Sequence, residues 1–326
     1  MNRRDFLKIG FGSAILAGLP QTILADIRRN VKPYSPLNIR KRNIHIGLDA
    51  PFKMVHISDT HIALANSADS ERKIMVGAGR SRYFPNAEHY LDEAIRYAQA
   101  GNMPIIHTGD LIDFVSEANL DFTARHFMTG DFLVSAGNHE FSQFVGEARE
   151  DEAYKQQSYA KVQDAFPNDL TFFAREIGGV NFVAIDNVYY NVTERQHELV
   201  EKEFKRGLPV VLLCHVPFYT PKLCEHTLKS SGGKAAYVAG APLSITETFE
   251  HNDNLPAAEQ WRNRSVQQRA DKPTLEFQKW LRSQKRLKAI LCGHCHEFFE
   301  EPFSKTAMQY VVGANYNGDA YEFAFD

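Results

Sequence analysis

Five short polar segments of this sequence consist largely of residue types that could bind a metal ion or activate water. They are residues 58–61 (SDTH), 109–113 (GDLID), 137–140 (GNHE), 214–217 (CHVP) and 293–296 (GHCH). Each segment follows a short apolar run. Together they offer carboxylate, imidazole and amide-oxygen groups, a combination that suits Mn, Fe or Zn better than copper. The residue types therefore favour a metal site assembled from distant parts of the chain.

The last segment contains an H-x-H pattern overlapping a C-x-x-C pattern, and the two indicate different chemistry. Side chains at positions i and i+2 of an extended run share a face. This spacing pairs His294 with His296 and turns Cys295 away, and it pairs Asp59 with His61 in the same manner. A metal-binding histidine pair is therefore the preferred interpretation.

A redox pair or structural zinc site built on Cys292 and Cys295 remains an alternative, although a redox pair needs a thiolate of low pKa at a helix start. Such a protein would lose its function when both cysteines are changed to Ser, whereas we expect little loss. The four cysteines of the chain permit three disulfide pairings, and the sequence does not choose among them.

The elements that must position these residues alternate between strands and helices, which is typical of a layered α/β domain. Strands are predicted at residues 43–48, 52–58, 104–107, 132–135, 171–176, 181–185, 209–214, 289–292, 308–312 and 321–325. Helices are predicted at residues 86–100, 117–127, 193–205 and 275–287. In such sheets, binding sites form at the carboxyl ends of the strands, so the five polar segments can converge.

Two pairs of predicted strands have the form of hairpins, residues 43–48 with 52–58 and residues 171–176 with 181–185. Residues 65–85 and 217–273 have weak periodicity, and we expect them to be loops. The longer stretch is predicted to be an inserted loop or cap segment. Because loops at a strand-end site form the pocket wall, both stretches are candidates for setting specificity.

Charge and hydropathy exclude some functional classes. The 326 residues carry a formal net charge of -3, so the chain has no broad basic field of the kind that binds nucleic-acid polymers. After the N-terminal segment, no apolar run reaches the roughly 18 residues that a transmembrane helix needs. We therefore expect no nucleic-acid polymer as partner and no stable transmembrane span.

The first 25 residues resemble a twin-arginine export signal. Arg3 and Arg4 precede a Phe-Leu pair and a lysine, and an apolar run at residues 9–19 leads to Ala25 as the candidate cleavage point. Ile23 is bulky for the position three residues before cleavage, so the cleavage site stays open. An uncleaved membrane anchor is the alternative, but eleven apolar residues are short for a span.

The resemblance implies periplasmic or extracellular localisation, with the twin-arginine translocase as a partner during export. Residues 26–42 would then form a linker, and residues 43–326 the domain.

The ordered set D-x-H, G-D-x-x-D, G-N-H-E, a lone histidine after an apolar strand and G-H-x-H resembles the calcineurin-like metallophosphoesterase superfamily. The resemblance covers roughly residues 43–326, and the five motifs stand in the family order. Five motifs in one order are far more specific than any one alone. The resemblance implies a four-layer αββα sandwich, with helices outside two mixed β-sheets.

The resemblance also implies a dinuclear metal site. Asp59, His61 and His296 would hold the first ion, Asn138, His215 and His294 the second, and Asp110 would bridge both. The ions would be two divalent cations, Mn, Fe or Zn. A metal-bridging hydroxide would then attack the phosphorus of a phosphate ester in line.

Two further residues receive roles from the resemblance. His139 would contact a phosphoryl oxygen or protonate the leaving group, and Asp113 would orient His139. Alternatively, Asp113 is the N-cap of the following helix, since Asp is a favoured cap. Glu140 is expected to be structural.

Departures from related patterns narrow the subfamily. Protein serine/threonine phosphatases have an arginine where Phe114 stands here, and purple acid phosphatases have a tyrosine where Asp113 stands. The remaining resemblance is to exported bacterial phosphoesterases of broad or unknown substrate, and we expect a small-molecule phosphate ester or an envelope substrate. A phosphodiesterase or pyrophosphate-bond hydrolase of nucleotide or envelope substrates is the alternative within the class, and a non-catalytic metal-binding envelope protein is the alternative outside it.

Overall fold

Two mixed β-sheets and the helices on their outer faces make up the fold in this computed structural model, which describes residues 34–145, 151–249 and 267–326. The strands are β1 (Asn38–Ile44), β2 (Phe52–Ile57), β3 (Ile105–His107), β4 (Phe132–Val134), β5 (Phe172–Ile177), β6 (Val180–Ile185), β7 (Val210–Leu213), β8 (Leu287–Cys292), β9 (Phe299–Pro302), β10 (Met308–Val311) and β11 (Asp319–Phe325). The predicted signal at residues 1–25 and residues 250–266 of the predicted insert lie outside the described residues.

The α-helices of the described residues are α1 (Glu71–Arg80), α2 (Ala87–Ala100), α3 (Glu117–Phe127), α4 (Glu152–Gln156), α5 (Tyr159–Gln163), α6 (Glu194–Lys205), α7 (Pro221–Ser230), α8 (Leu243–Thr246) and α9 (Lys272–Ser283). Their ends follow local chemistry. The hydroxyl of Thr193 accepts the backbone N–H of Gln196 and the Gln196 side chain accepts the N–H of Thr193, so α6 begins with a capping box. Ser116 caps α3 by accepting the backbone N–H of Asn119, without the reciprocal bond.

The first sheet has the strand order β1-β11-β2-β3-β4, and the second has the order β5-β6-β7-β8-β10-β9. β2, β3 and β4 run parallel to one another, as do β6, β7 and β8. Parallel neighbours deliver their carboxyl ends to the same edge of a sheet. The polar segments after β2, β3 and β4 therefore meet at one edge, and those after β7 and β8 meet at another.

Three apolar clusters define the layers. Met54 of β2 packs between the sheets with residues such as Val211 and Leu291 of the second sheet. Its neighbour Val55 points to the opposite face, against helices α2 and α3. On the far side of the second sheet, Leu212 packs with residues of α6 and α9. Because strand side chains alternate between faces, each sheet separates two cores, and the result is the predicted αββα sandwich.

The predicted hairpin of residues 43–48 with 52–58 is wrong. β1 begins at Asn38 and pairs in parallel with β11 along its whole length, and β11 lies between β1 and β2. Residues 38–42, predicted as part of the linker, belong to β1. An apolar pattern shows that a strand exists but does not name its neighbour, and here the neighbour is 281 positions away. The hairpin of β5 and β6 is confirmed.

The two predicted loops contain helices. α1 lies within residues 65–85, and α7 and α8 lie within residues 217–249. The spacing of apolar residues did not indicate α1. Only Gly77 of this helix is fully buried, so the helix has almost no apolar stripe facing the core. Among the described residues, no helix has the length and hydropathy to cross a membrane.

Candidate metal centre

The seven predicted metal ligands lie where strands of both sheets end. Asp59 and His61 follow β2, Asp110 follows β3, and Asn138 follows β4, all in the first sheet; His215 follows β7, and His294 and His296 follow β8 in the second. These side chains come from positions almost 240 residues apart, yet the structure brings all of them together. Their convergence is the central feature of the site.

Asp59, His61, Asp110 and His296 each place one ligand atom within 4.8 Å of the others. The Nε2 atom of His296 lies 3.2 Å from Asp59 Oδ1 and 3.2 Å from His61 Nε2. His61 Nε2 is 3.7 Å from Asp110 Oδ2. Two carboxylates and two imidazoles thus surround a common centre.

A second group shares Asp110 with the first. His215 Nε2 lies 3.3 Å from Asp110 Oδ2 and 3.2 Å from His294 Nδ1. Asn138 Oδ1 is buried and has no hydrogen-bond partner among the described residues. Because Asp110 Oδ2 faces histidines of both groups, Asp110 occupies the position that a bridging carboxylate would need.

The donor atoms fit two divalent ions. His215 Nδ1 donates to the carbonyl oxygen of Thr108 at 2.7 Å and His61 Nδ1 to Asp113 at 2.9 Å, so their Nε2 atoms carry free lone pairs when the rings are neutral. The nitrogen–nitrogen distance is 3.2 Å both between His61 and His296 and between His215 and His294. An ion with bonds of about 2.1 Å separates neighbouring ligand atoms by roughly 3.0–3.4 Å, so both distances fit such an ion. The buried oxygen of Asn138 has no hydrogen-bond partner in the described part of the chain and is therefore available to bind an ion.

The pairing of side chains at positions i and i+2 was predicted for an extended backbone, but the backbone at the site is not extended. Asp59, His61, Asp110, His294 and His296 all have positive φ angles, between 51° and 71°. Left-handed residues other than Gly cost about 1–2 kcal/mol each, and such strain is concentrated at functional sites. The paired orientation of these ligands therefore arises from tight turns after the strands.

The sulfur atoms take no part in the ligand set. All four cysteines are free thiols. Cys214 packs in the outer core of the second sheet, and the Cys295 Sγ atom points to the carbonyl of Tyr237 at 4.0 Å. Burial raises the pKa of the Cys295 thiol, which is opposite to the low pKa that a redox pair requires. The geometry agrees with the H-x-H interpretation.

Close approach of backbones explains the glycine of the last motif. A Cβ atom at Gly293 would lie 1.9 Å from Ser58 Oγ and 2.4 Å from Asp59 Oδ2. These distances are far inside van der Waals contact, so any side chain at position 293 would displace Asp59. Gly293 allows the β8 turn to approach the β2 turn, and this approach brings ligands of the two sheets together.

Asp113 is not a helix cap, because Ser116 caps α3. Its carboxylate accepts two hydrogen bonds from Arg80, at 2.6 and 2.9 Å, and one from His61, and lies 3.3 Å from His139 Nδ1. The carbonyl of Asp113 also accepts from His139 Nδ1 at 2.7 Å. Asp113 therefore orients both histidines, and Arg80 holds Asp113.

The charges of this group shift its pKa values. Burial alone would raise the pKa of Asp113, but the Arg80, His139 and His61 hydrogen bonds outweigh it and lower that pKa far below its usual range. Burial opposes the charged form of His139, but Asp110 and Asp113 raise the pKa of this imidazole to about 10. The two carboxylates therefore favour the protonated form of His139 in the metal-free protein.

Glu140 has a structural role, as expected. Its buried carboxylate accepts backbone N–H groups of Asp110 at 2.8 Å, Leu111 at 2.7 Å and Ile112 at 3.2 Å, and that of Gly137. One side chain thus fixes the turn that carries Asp110 to the turn that carries Asn138 and His139.

A cavity of about 340 Å³ opens beside the ligands. It is lined by Asp110, Asn138, His139, Tyr190, Thr227, Ser230, Tyr237, His294, Cys295 and His296. The motifs did not reveal Tyr190, Tyr237 or the α7 residues, which come from segments without a recognisable pattern. Arg80 lies within residues 65–85, which were expected to be a loop, and nothing in the sequence indicated its partner 33 positions away.

The family profile described as calcineurin-like phosphoesterase matches residues 52–316. The chain belongs to the calcineurin-like phosphoesterase family. This calcineurin-like phosphoesterase is accordingly a hydrolase that acts on phosphoric esters, and its histidines and aspartates form a cluster that can bind metal ions. No curated protein matches the chain.

Several solved structures are similar to this phosphoesterase at low identity. A dimetal phosphatase from Danio rerio is 14% identical, with 82% of this chain and 88% of that chain covered and a TM-score of 0.41. The calcineurin-like phosphoesterase YfkN from Bacillus subtilis is 9% identical, with 82% of each chain covered and a TM-score of 0.35. A 5'-nucleotidase from Candida albicans is 12% identical, with 86% of this chain but only 48% of that chain covered and a TM-score of 0.38.

Proposed function

We propose that the protein is a dinuclear metal-dependent phosphoesterase that is exported by the twin-arginine route and hydrolyses small phosphate esters or envelope substrates outside the cytoplasm. The observation that carries the catalytic part is the position of His139, which lines the same cavity as members of both ligand groups. The resemblance of residues 1–25 to a twin-arginine signal supports the export part.

The proposed site uses Asp59, His61 and His296 for one ion, Asn138, His215 and His294 for the other, and Asp110 for both. When bound, two divalent ions would polarise a phosphoryl oxygen and lower the pKa of a water molecule for attack on phosphorus. The protein's contribution is to fix the ligand positions, because two turns of the first sheet are held by Glu140 and the Asp59 turn fits against Gly293.

His139 is proposed as the proton donor. Its Nδ1 atom is engaged by the carbonyl and carboxylate of Asp113, so Nε2 is the nitrogen left for a ligand in the cavity. A protonated imidazole so placed would donate a hydrogen bond to a phosphoryl oxygen or a proton to the leaving oxygen. Asp113 keeps the ring in this orientation.

Two variants test the proposal. His139→Ala should retain both metal ions and lose most turnover, by roughly 10²–10⁴-fold, because it removes the acid and leaves the ligands in place. Asp110→Asn should lose the ions themselves, because it removes the shared negative charge. Metal content is measured by elemental analysis and turnover with a panel of mono- and diesters in the presence of added Mn.

Unchanged turnover in both variants would contradict the enzymatic proposal and favour the non-catalytic metal-binding alternative. The ester panel separates the alternatives within the class. Monoesters and diesters need the same ions and ligands, so metal content cannot distinguish them. A preference for diesters or pyrophosphate bonds would identify a phosphodiesterase or pyrophosphate-bond hydrolase.

A further inference from the structure

Two tyrosine hydroxyls contact the outer nitrogens of two histidines in the candidate metal centre. Tyr190 Oη lies 2.9 Å from His294 Nε2, and Tyr316 Oη lies 3.2 Å from His296 Nδ1. The opposite nitrogen of each ring faces the other ligands, His294 Nδ1 toward His215 and His296 Nε2 toward Asp59. Each of these imidazoles is therefore held between a tyrosine on the outside and the ligand cluster on the inside.

This arrangement selects one tautomer of each ring. A neutral imidazole carries one N–H, and an inner nitrogen that binds a metal must be the unprotonated one. The outer N–H of each ring then donates to the tyrosine oxygen. Asp113 and the Thr108 carbonyl accept the outer N–H of His61 and His215 in the same way. All four histidines thus have an outer acceptor, and two of these acceptors are tyrosines that stand outside every motif.

The position of Tyr190 is held by its own loop. Its backbone has a φ angle of 68°, which is unfavourable for a residue with a side chain, and its N–H donates to the Asn187 carbonyl at 2.9 Å. The Asn187 side chain in turn accepts the N–H of Val216 and donates to the carbonyl of Val216. Val216 follows His215 directly, so the loop that carries Tyr190 is attached to the turn of a neighbouring ligand.

Tyr316 is attached to the first sheet in a comparable way. It lies in the short 3-10 helix Asn315–Asn317, in which the N–H of Asn315 donates to the carbonyl of Ser58 and that of Tyr316 to the carbonyl of Asp59. These two hydrogen bonds fix the position of Tyr316 relative to the turn that carries Asp59. The two tyrosines belong to separate loops, and each serves the histidine of a different proposed ion.

We propose that Tyr190 and Tyr316 are positioning residues of the metal centre, Tyr190 for the ion held by His294 and Tyr316 for the ion held by His296. The assignment rests on the proposed dinuclear function, and it is tested by metal binding in the absence of substrate. Outer hydrogen-bond partners of metal-binding histidines typically contribute about 10–100-fold in metal affinity. Each hydroxyl should contribute on this scale to one ion and little to the other.

The experiment is a titration of metal-free protein with Co²⁺ in competition with a chelator. Binding is monitored by the visible absorption of the bound ion. His294→Ala and His296→Ala identify which binding step belongs to which ion. Tyr190→Phe should weaken the step that His294→Ala removes by about 10–100-fold, and Tyr316→Phe the step that His296→Ala removes. Phe keeps the ring, so packing is preserved.

Tyr237→Phe is the matched control. The Tyr237 ring lies 5.7 Å from that of His294, but its hydroxyl makes no hydrogen bond to the described residues. Removing this hydroxyl should leave both Co²⁺ affinities unchanged. The comparison separates the effect of a hydrogen bond from that of an aromatic neighbour.

The proposal is overturned if Tyr190→Phe and Tyr316→Phe bind both ions as the unmodified protein does, even where the melting temperature falls, because the tyrosines would then serve packing alone. It is also overturned if either variant weakens both steps equally. A different outcome separates the two proposals. If the Tyr→Phe variants weaken Co²⁺ binding as expected but the unmodified protein hydrolyses no ester, the proposed function is contradicted and the assignment of the tyrosines stands.

Discussion

The carboxylate of Glu140 should be a major source of stability, and Glu140→Gln measures its contribution. The variant is nearly isosteric, so it creates no cavity. Oε2 accepts the N–H groups of Asp110 and Gly137, and Oε1 those of Leu111 and Ile112. An amide group would place an NH₂ against one of these two pairs of donors.

The expected magnitude follows from the lost hydrogen bonds. Burial and Asp110 raise the pKa of Glu140 to about 7, so only the two backbone N–H groups left without an acceptor are counted. Each costs about 1–3 kcal/mol, so the free energy of unfolding should fall by about 2–6 kcal/mol. This is a large part of the roughly 5–15 kcal/mol that stabilises most proteins. The same change should weaken metal binding, because it releases the turn that carries Asp110.

The assay is urea unfolding of the metal-free protein, so that bound ions do not contribute to the measured free energy. Glu198→Gln serves as the control. Glu198 is 63% exposed on α6 and pairs only with Arg195 among the described residues, so its change should stay within about 0.5 kcal/mol. A free energy for Glu140→Gln within 1 kcal/mol of the unmodified protein would refute the reasoning, in which the four N–H groups depend on this carboxylate.

Two other predictions concern the glycine at the ligand turn and the export signal. Gly293→Ala should lose metal content and unfold at a lower urea concentration, because its Cβ would overlap Ser58 and Asp59. The control is Gly79→Ala in α1, where a Cβ meets nothing within 4 Å and the change should be neutral or stabilising by up to about 1 kcal/mol. Equal metal content in the two variants would contradict the proposed role of Gly293. Replacing Arg3 and Arg4 by Lys should retain the protein in the cytoplasm if the twin-arginine route is used, and cell fractionation that finds the variant exported as before would contradict the export proposal.

Much of the site could be predicted from the sequence because its ligands follow apolar strands in fixed short patterns. Asp110, Asn138 and His215 were assigned to strand ends, and each lies there. The helix at residues 117–127 was predicted with the bounds that the structure has, since its cap and its apolar face are local features. Local spacing carried these predictions.

Long-range partners could not be predicted in this way. Arg80 was assigned to a loop, because its partner Asp113 is defined only by the packing of α1 beside the β3 turn. The parallel pairing of β1 with β11 was missed for the same reason. Tyr190 and Tyr316 are single aromatic residues in the sequence, and only their distances to His294 and His296 distinguish them from core residues.

The pairing of β1 with β11 has a consequence for the order in which the chain can fold. β11 stands between β1 and β2, so among the described strands β1 has no neighbour, and β2 has only β3, until residues 319–325 have left the ribosome. At a synthesis rate of about 5–20 residues per second, the first sheet would remain incomplete for roughly 15–60 seconds after β1 emerges. Completion of this sheet therefore waits for β11, and loss of this seven-residue strand should prevent it however much of the preceding chain is present.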